Sequence, residues 1–260
     1  MTIFPAVFVS HGAPDLSLNP SPARTFLSQL GNKLGKPKTI LIISVHWGTR
    51  QPITSTVEHP NTVKDFWGFS SELNSLNYPA LGASELAQQV VKLLQDAGID
   101  SKTSKNRGLD HGAWNPLKLM YPDADVPVTQ LSIQPRQTPE HHLAIGKILA
   151  LLRQEGVLIL ASGSATHNLR EFGKYPLDAP PPNWVTEFSQ WLSSTLQRGD
   201  IEALLNYRQL APYAKENHPT EEHLLPLFTA LGTGDRSTNI VELHSSYTYG
   251  VLSMASYAFY

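Results

Sequence analysis

The 260-residue sequence contains no cysteine. Disulfide bridges, thiolate nucleophiles and cysteine-bound zinc or iron–sulfur centres are therefore excluded, and any metal must be held by His, Asp or Glu side chains. The absence of cysteine also suits the reducing cytoplasm, where we expect the protein to reside. Histidine, by contrast, occurs ten times, and its positions decide the functional interpretation.

The sequence also lacks a strong charge of either sign. Its 20 basic and 22 acidic residues give a formal net charge of −2, which offers no attraction for nucleic-acid phosphates or anionic membranes. No apolar run approaches the roughly 18 residues that a membrane-spanning helix needs, and the amino terminus lacks the basic and apolar segments of a signal peptide. We therefore expect neither nucleic acid nor a membrane as a partner.

Several catalytic signatures are missing. The sequence has no G-x-S-x-G, no Walker phosphate loop, no H-E-x-x-H and no G-x-G-x-x-G. Serine hydrolysis stays open at this point, because Ser10, Ser44 and Ser162 each lie close to a histidine in the sequence.

Short apolar runs alternate with helical patterns along the chain. Buried strands are predicted over residues 6–10, 39–45, 126–133 and 157–161, with a later strand over 239–243. Helix starts are signalled by Ser21-Pro22 and Thr138-Pro139, where a capping residue precedes a proline at the first helical position. This order predicts a single α/β domain over residues 1–260, with a largely parallel central sheet covered by helices on both faces.

Residues 50–82 have no sustained period and are predicted to form a long functional loop. The loop contains Phe66, Trp67 and Phe69. We interpret these three aromatic residues as core, although a planar substrate would also be served by them.

Three histidines follow apolar strands. His11 and His46 come at the ends of the first two predicted strands, and His167 follows the strand over residues 157–161 after a short turn. In α/β folds ligands bind outside the carboxyl ends of the strands, so these side chains are expected to meet there. Neutral imidazoles in a cleft are good ligands for iron or zinc, and the pattern favours a histidine-bound metal.

His223 is predicted to lie in the first turn of a helix capped by Thr220, with Pro226 kinking or shortening that helix. A cation there would oppose the helix dipole, which favours a neutral imidazole or a metal ligand. Glu222 offers a carboxylate beside it. Adjacent helical residues point about 100° apart, so either His223 or Glu222, but not both, could be the ligand.

His111 lies in a glycine-containing loop between Asp110 and Trp114. Asp110 could simply cap a short helix, or His111 could act in acid/base chemistry over an aromatic substrate. The remaining five histidines have no comparable setting and are interpreted as surface or packing residues: His59, His141, His142, His218 and His244.

Seven groups of residues together resemble the class III extradiol ring-cleavage dioxygenases, the LigB-like family, and most closely its DOPA-dioxygenase branch. They occur in one order from residue 10 to residue 254: SHGAP at 10–14, SVHW at 44–47, LDHGAW at 109–114, YPDADVP at 121–127 with QLS at 130–132, ASG at 161–163 with HNL at 167–169, PTEEHLLP at 219–226 and LSM at 252–254. Each group is short, but jointly they are specific and cover nearly the whole chain.

The resemblance implies a metal held by His11, His46 and His223, with Glu222 as the alternative third ligand. It also implies that His167 is the acid/base and that His111 orients or deprotonates the substrate. The expected cofactor is Fe(II), with Zn(II) as another ion that could be bound. The expected partners are a DOPA-like catechol and O₂, with the ring opened outside the diol by a monomer or homodimer.

Two other function classes remain alternatives at this point. A zinc hydrolase could use the same three histidines, with His167 as the general base for a metal-bound water. LigB-like folds also occur in Memo-type proteins, which are regarded as binding or signalling modules, so a non-enzymatic role is the second alternative.

Overall fold

The centre of the fold is an eight-stranded sheet. The computed structural model describes residues 3–234 and 239–260, so residues 1, 2 and 235–238 of the predicted domain lie outside the described residues. The strands are β1 Ala6–Ser10, β2 Thr39–Gly48, β3 Ile53–Ser55, β4 Lys102–Ser104, β5 Val128–Ile133, β6 Val157–Gly163, β7 Ile240–His244, β8 Tyr247–Thr248, β9 Leu252–Ser253 and β10 Ser256–Phe259. Their order in the sheet is β4-β3-β5-β2-β6-β1-β10-β7, while β8 and β9 form a separate pair.

Most of the strand pairs in the large sheet are parallel. Strand β6 pairs in parallel with both β1 and β2, and the β2–β5 and β3–β4 pairs are also parallel. Strand β10 pairs antiparallel with β1 and β7, and β3 makes one antiparallel contact with β5. The predicted α/β class with a largely parallel sheet is therefore confirmed, and its antiparallel strands at one edge come from the carboxyl-terminal part of the chain.

Helices cover both faces of this sheet. They are α1 Pro22–Leu34, α2 Glu72–Ser75, α3 Ser84–Asp96, α4 His111–Met120, α5 Pro139–Leu149, α6 Asn183–Gln197, α7 Ile201–Leu205, α8 Tyr207–Leu210, α9 Ala214–Asn217 and α10 Leu225–Thr233, with short 3₁₀ helices at Pro14–Ser17 and Ala150–Glu155. Helix α1 begins as its sequence predicts, because the Ser21 hydroxyl accepts a hydrogen bond from the Arg24 N–H at 3.1 Å. It ends before Gly35, which has a φ of 84°.

Two apolar clusters show why the strands are continuous hydrophobic runs. Phe8, Leu41 and Ile159 pack into a cluster with residues of α3, α5, α6 and α10. Neighbouring strand residues such as Val7 and Ile40 point to the opposite face, where they join residues of α1 and α4. Successive strand residues point to opposite faces of the sheet, and helices cover both faces. The residues on both faces of these strands are therefore apolar.

Two local predictions are wrong. No helix begins at Thr220; α10 begins at Leu225, and Pro226 lies in its first turn, where proline is well accommodated, rather than kinking it. The Thr220 hydroxyl instead donates to Glu222 Oε1 at 2.9 Å. Trp67 is not a core residue, because 88% of it is exposed.

Among residues 3–234 and 239–260, no helix combines the length and the apolar character needed to cross a membrane.

Candidate metal centre

The sheet topology brings three of the predicted site residues together at the carboxyl ends of the parallel strands. His11 directly follows β1 and His46 lies near the end of β2, and these two strands flank β6 in the sheet. His223 comes from the turns before α10, and its carbonyl oxygen accepts a hydrogen bond from the Ser164 N–H at 2.9 Å. A Cβ atom at Gly163 would lie 2.2 Å from that same carbonyl oxygen, so glycine at the end of β6 permits this approach.

The rings of the three histidines converge. The Nε2 atoms of His11 and His46 are 3.1 Å apart. The ring centroid of His223 lies 6.0 Å from that of His11 and 5.3 Å from that of His46. One ligand atom from each of the three residues lies within 4.8 Å of the others, a spacing at which they could share one ion.

All three imidazoles are held neutral. Burial lowers the pKa of His11 well below its ordinary value, and the neighbouring His46 lowers it further. Burial and the nearby His111 lower the pKa of His46 to about 4, and burial together with His167 lowers the pKa of His223 well below its usual range. Neutral imidazole is the form that binds metal ions, so this crowded arrangement favours a cation over protons.

Hydrogen bonds orient two of these rings. Ser162 Oγ donates to the Gly112 carbonyl oxygen at 2.5 Å and lies 3.0 Å from His11 Nδ1. Because the Ser162 hydroxyl donates its proton to Gly112, its oxygen must accept the hydrogen bond from His11. His11 Nδ1 therefore carries the ring proton, and His11 Nε2 keeps its lone pair. His223 Nδ1 lies 3.1 Å from Glu222 Oε1, so the carboxylate orients this imidazole in the same way.

His167 and His111 adjoin the three converging rings. The ring of His167 stacks on that of His223, with centroids 3.3 Å apart and planes inclined by 9°. Burial, followed by the neighbouring His218, lowers the pKa of His167 to about 3. His111 is the first residue of α4, and its ring centroid lies 4.0 Å from that of His46. The structure thus brings all five predicted site histidines together.

Asp65 is a site residue that the sequence did not indicate. Its Oδ1 accepts hydrogen bonds from His111 through the backbone N–H at 3.0 Å and through Nδ1 at 2.9 Å. Burial alone would raise the pKa of the Asp65 carboxyl, but the contacts with His111 hold it at about 2. Asp65 and His111 are 46 residues apart and Asp65 lies in a loop without periodicity, so no local pattern connects them.

Asp110 caps α4 and also joins a buried polar network. Its Oδ1 accepts from the Ala113 N–H at 3.1 Å and from Ser44 Oγ at 2.6 Å. Its Oδ2 accepts from Arg107 Nη2 and Gln130 Nε2, each at 2.5 Å. The network connects the start of α4 with β2 and β5, and the sequence signal that points to it is the long amide side chain of Gln130 in a strand that is buried along its whole length.

Phe66 adjoins the site rather than lying only in the core. Its ring meets that of His111 edge-on, with the centroids 5.9 Å apart, and it lies 6.4 Å from the ring of Trp114. The predicted core role is therefore incomplete, because part of this aromatic surface borders the histidine cluster.

Gly112 allows α4 to approach the converging histidines closely. A Cβ atom at this position would lie 2.5 Å from Ser44 Oγ and 2.9 Å from His46 Cδ2. We expect Gly112→Ala to displace His46 and to lower metal affinity at least about 10-fold, the scale seen when ligand-orienting groups are lost. Titration of the metal-free protein with Fe(II) or Zn(II) measures this change.

The matched control for Gly112→Ala is Gly98→Ala. Gly98 has open space around the position of a Cβ atom but a φ of 81°, so alanine there is expected to cost about 1–2 kcal/mol of backbone strain without affecting metal binding. Equal metal affinities in the wild type and in Gly112→Ala would contradict the expectation that a Cβ atom at position 112 displaces His46.

Known proteins match nearly the whole chain. A sequence profile described as the catalytic LigB subunit of aromatic ring-opening dioxygenase matches residues 17–260. A Beta vulgaris protein named 4,5-DOPA dioxygenase extradiol is 42% identical over 256 residues, covering 97% of this chain and 95% of that protein. An Escherichia coli K12 protein of the same name is 39% identical over 259 residues, covering 98% of this chain and 94% of that protein.

A solved structure shares the fold. The crystal structure of an uncharacterized protein from Escherichia coli K12 aligns with a TM-score of 0.81 and 35% sequence identity, covering 98% of this chain and 99% of that one.

Proposed function

The chain belongs to the LigB family of aromatic ring-opening dioxygenases and is an oxidoreductase of the extradiol class, and we propose that it cleaves a DOPA-like catechol with O₂ in a single catalytic domain. The relatives named 4,5-DOPA dioxygenase extradiol support the substrate class. The observation that carries the proposal is the convergence of three neutral imidazoles, from His11, His46 and His223, at one edge of the sheet.

The donor set fits a divalent transition metal. Two nitrogens bound to one ion at about 2.0–2.1 Å lie roughly 3 Å apart, which agrees with the 3.1 Å between the Nε2 atoms of His11 and His46. Imidazole ligands suit both iron and zinc, and we propose Fe(II) for activity, with Zn(II) also able to bind. Bound Fe(II) supplies Lewis-acid stabilisation of the catecholate and a route for electrons from catechol to O₂.

The protein groups divide the remaining tasks. Glu222 and Ser162 orient His223 and His11. His111 orients or deprotonates the catechol, while His167 transfers a proton during ring opening, since a neutral imidazole can accept a proton and then return it.

The test of this function is oxygen uptake by protein loaded with Fe(II) under anaerobic conditions. With DOPA, we expect O₂ consumption and a ring-opened product that contains both oxygen atoms of O₂. Simple catechol and a DOPA analogue with a single ring hydroxyl complete the substrate series, and the latter is expected to be inert. Absence of oxygen consumption with every catechol, despite a full complement of iron, would exclude the proposal.

His167→Ala tests the acid/base assignment. We expect the variant to retain its metal while kcat falls by about 10²–10⁴-fold, the usual contribution of a positioned acid or base. The control is His59→Ala. His59 is exposed, and no described contact joins its imidazole to the five-histidine cluster. Unchanged turnover in His167→Ala would remove this residue from the mechanism.

The hydrolase and binding-module alternatives are not favoured. The relatives that cover nearly the whole chain are named as dioxygenases. The hydroxyl groups of Ser10, Ser44 and Ser162 are buried and donate to a carbonyl or carboxylate oxygen, so none is presented to a substrate as a nucleophile.

A further inference from the structure

The Asp65 carboxylate contacts both the backbone and the ring of one residue, His111. Its Oδ1 atom accepts the backbone N–H of His111 at 3.0 Å and lies 2.9 Å from the ring Nδ1 of the same residue. His111 is the first residue of α4, so the carboxylate also lies at a helix start, where a negative charge is stabilised. The loop that contains Asp65 is thereby fixed to the end of the helix that presents His111.

This contact determines which nitrogen of His111 holds the proton. An ionised carboxylate only accepts hydrogen bonds, so Nδ1 must be protonated to bond with Asp65. In a neutral imidazole the other nitrogen, Nε2, then has a free lone pair. We propose that Asp65 is a positioning residue that holds His111 in this tautomer, so that His111 Nε2 accepts the proton of a substrate hydroxyl.

The ring of His111 has little freedom to adopt another orientation. Its centroid lies 4.0 Å from that of His46 and 5.5 Å from that of His11, and the Phe66 ring meets it edge-on. In the proposed step, the substrate O–H bond breaks, its electron pair stays on the oxygen, and the proton passes to His111 Nε2. The resulting imidazolium is stabilised by its ion pair with Asp65. The role of His111 as proton acceptor rests on the proposed ring cleavage, whereas the assignment of its tautomer rests only on the contact with Asp65.

A second contact of Asp65 defines the competing explanation. Its Oδ2 lies 4.0 Å from His46 Nδ1, which is beyond a hydrogen bond but close enough for electrostatic attraction. If Asp65 acted mainly through His46, its removal would weaken metal binding. If it acts through His111, its removal changes the His111 tautomer and kcat while the metal is retained.

The first measurement is the tautomer of His111, observed by long-range ¹H–¹⁵N NMR on ¹⁵N-histidine-labelled protein loaded with diamagnetic Zn(II). His111→Gln assigns the signal. We expect the Nδ1–H form in the wild type, a shift toward the Nε2–H form in Asp65→Ala, and an intermediate result in Asp65→Asn, whose amide oxygen can still accept a hydrogen bond. A wild-type pattern in Asp65→Ala would overturn the inference.

The second measurement compares steady-state kinetics and metal content of the Fe(II) enzymes. Asp65→Ala is expected to lower kcat by about 10–100-fold with KM and metal content nearly unchanged, and Asp65→Asn to recover part of this loss. Asp125→Asn is the control, because Asp125 pairs with Lys36 before the amino end of β5, opposite the site. Loss of metal without a tautomer change, or an unchanged kcat, would overturn the inference.

The two measurements separate this inference from the proposed function. If the tautomer changes as expected but the wild type consumes no O₂ with any catechol, the ring-cleavage proposal fails and the Asp65–His111 positioning contact remains. If the wild type is active and Asp65→Ala matches it in tautomer and kcat, Asp65 has no positioning role while the proposed function stands.

Discussion

His46→Ala is expected to weaken metal binding by more than about 100-fold and to abolish oxygen uptake at micromolar iron. Loss of a group that merely orients a ligand costs about 10–100-fold in affinity, so loss of a ligand itself should exceed that range. His46 contributes the Nε2 atom that lies 3.1 Å from His11 Nε2. Isothermal titration of the metal-free protein and metal analysis after gel filtration measure the loss.

The histidine cluster contains three overlapping ligand sets, and paired variants distinguish them. Besides His11, His46 and His223, the described residues provide two further groups with suitable spacing: His46, Asp65 and His111, and His167, Glu222 and His223. An ion in the second group would be retained by His223→Ala, and an ion in the third would be retained by His46→Ala. Only the first group requires both His46 and His223.

Stability measurements provide a readout that is independent of activity. A metal that binds only the folded state adds about 2.7 kcal/mol to the free energy of unfolding when its free concentration is 100 times the dissociation constant. We expect this increment in the wild type and in the control His244→Ala, whose imidazole stacks on Phe26. His46→Ala should show no comparable response, and a full response would contradict the assignment of His46 as a ligand.

The same feature of the sequence predicts both the central strands of the sheet and the histidine cluster. Continuous apolar runs such as residues 157–161 are typical of strands covered on both faces, and parallel strands place their carboxyl ends at one edge. His11 and His46 meet because β1 and β2 both pair with β6. The short strands β3 and β4 escape detection because three residues of mixed polarity have no recognisable period.

The errors arise where tertiary contacts override local patterns. The chain before α10 turns so that the His223 carbonyl accepts the Ser164 N–H, and the helix therefore starts later than Thr220 suggests. In the 50–82 loop, Gly68 has a φ of 80°, and the chain buries part of Phe66 while exposing Trp67. Aromatic residues alone do not indicate which ring faces inward.

Asp110→Ala is expected to destabilise the fold by about 3–5 kcal/mol, the scale for removing one partner of a buried ion pair. Asp110 is completely buried, and its carboxylate is the acceptor for Arg107, Gln130 and Ser44. Alanine would leave the fully buried donors of Ser44 and Gln130 without this acceptor, and each buried unpaired donor adds a desolvation cost. Urea unfolding followed by fluorescence and circular dichroism measures the change.

Asp200→Ala is the matched control for this prediction. Asp200 caps α7 by accepting the Ala203 N–H at 3.0 Å, as Asp110 caps α4, but it is exposed. Its loss is therefore expected to cost only the usual 1 kcal/mol or so of a helix cap. Asp110→Asn should fall between the two alanine variants, because its amide can accept from Ser44 and Ala113 while its NH₂ group faces the donors of Arg107 and Gln130.

Asp110→Ala is also expected to affect metal binding. Arg107 donates to the His46 carbonyl oxygen at 3.1 Å, and its guanidinium lies 5.3 Å from the centroid of the Trp47 ring. Without Asp110, Arg107 loses the carboxylate that fixes it, and the end of β2 loses this support. We therefore expect Asp110→Ala to lower metal affinity at temperatures where it is still folded, and Asp200→Ala to leave that affinity unchanged. Similar unfolding free energies and metal affinities for the two variants would show that the buried carboxylate acts only as a helix cap.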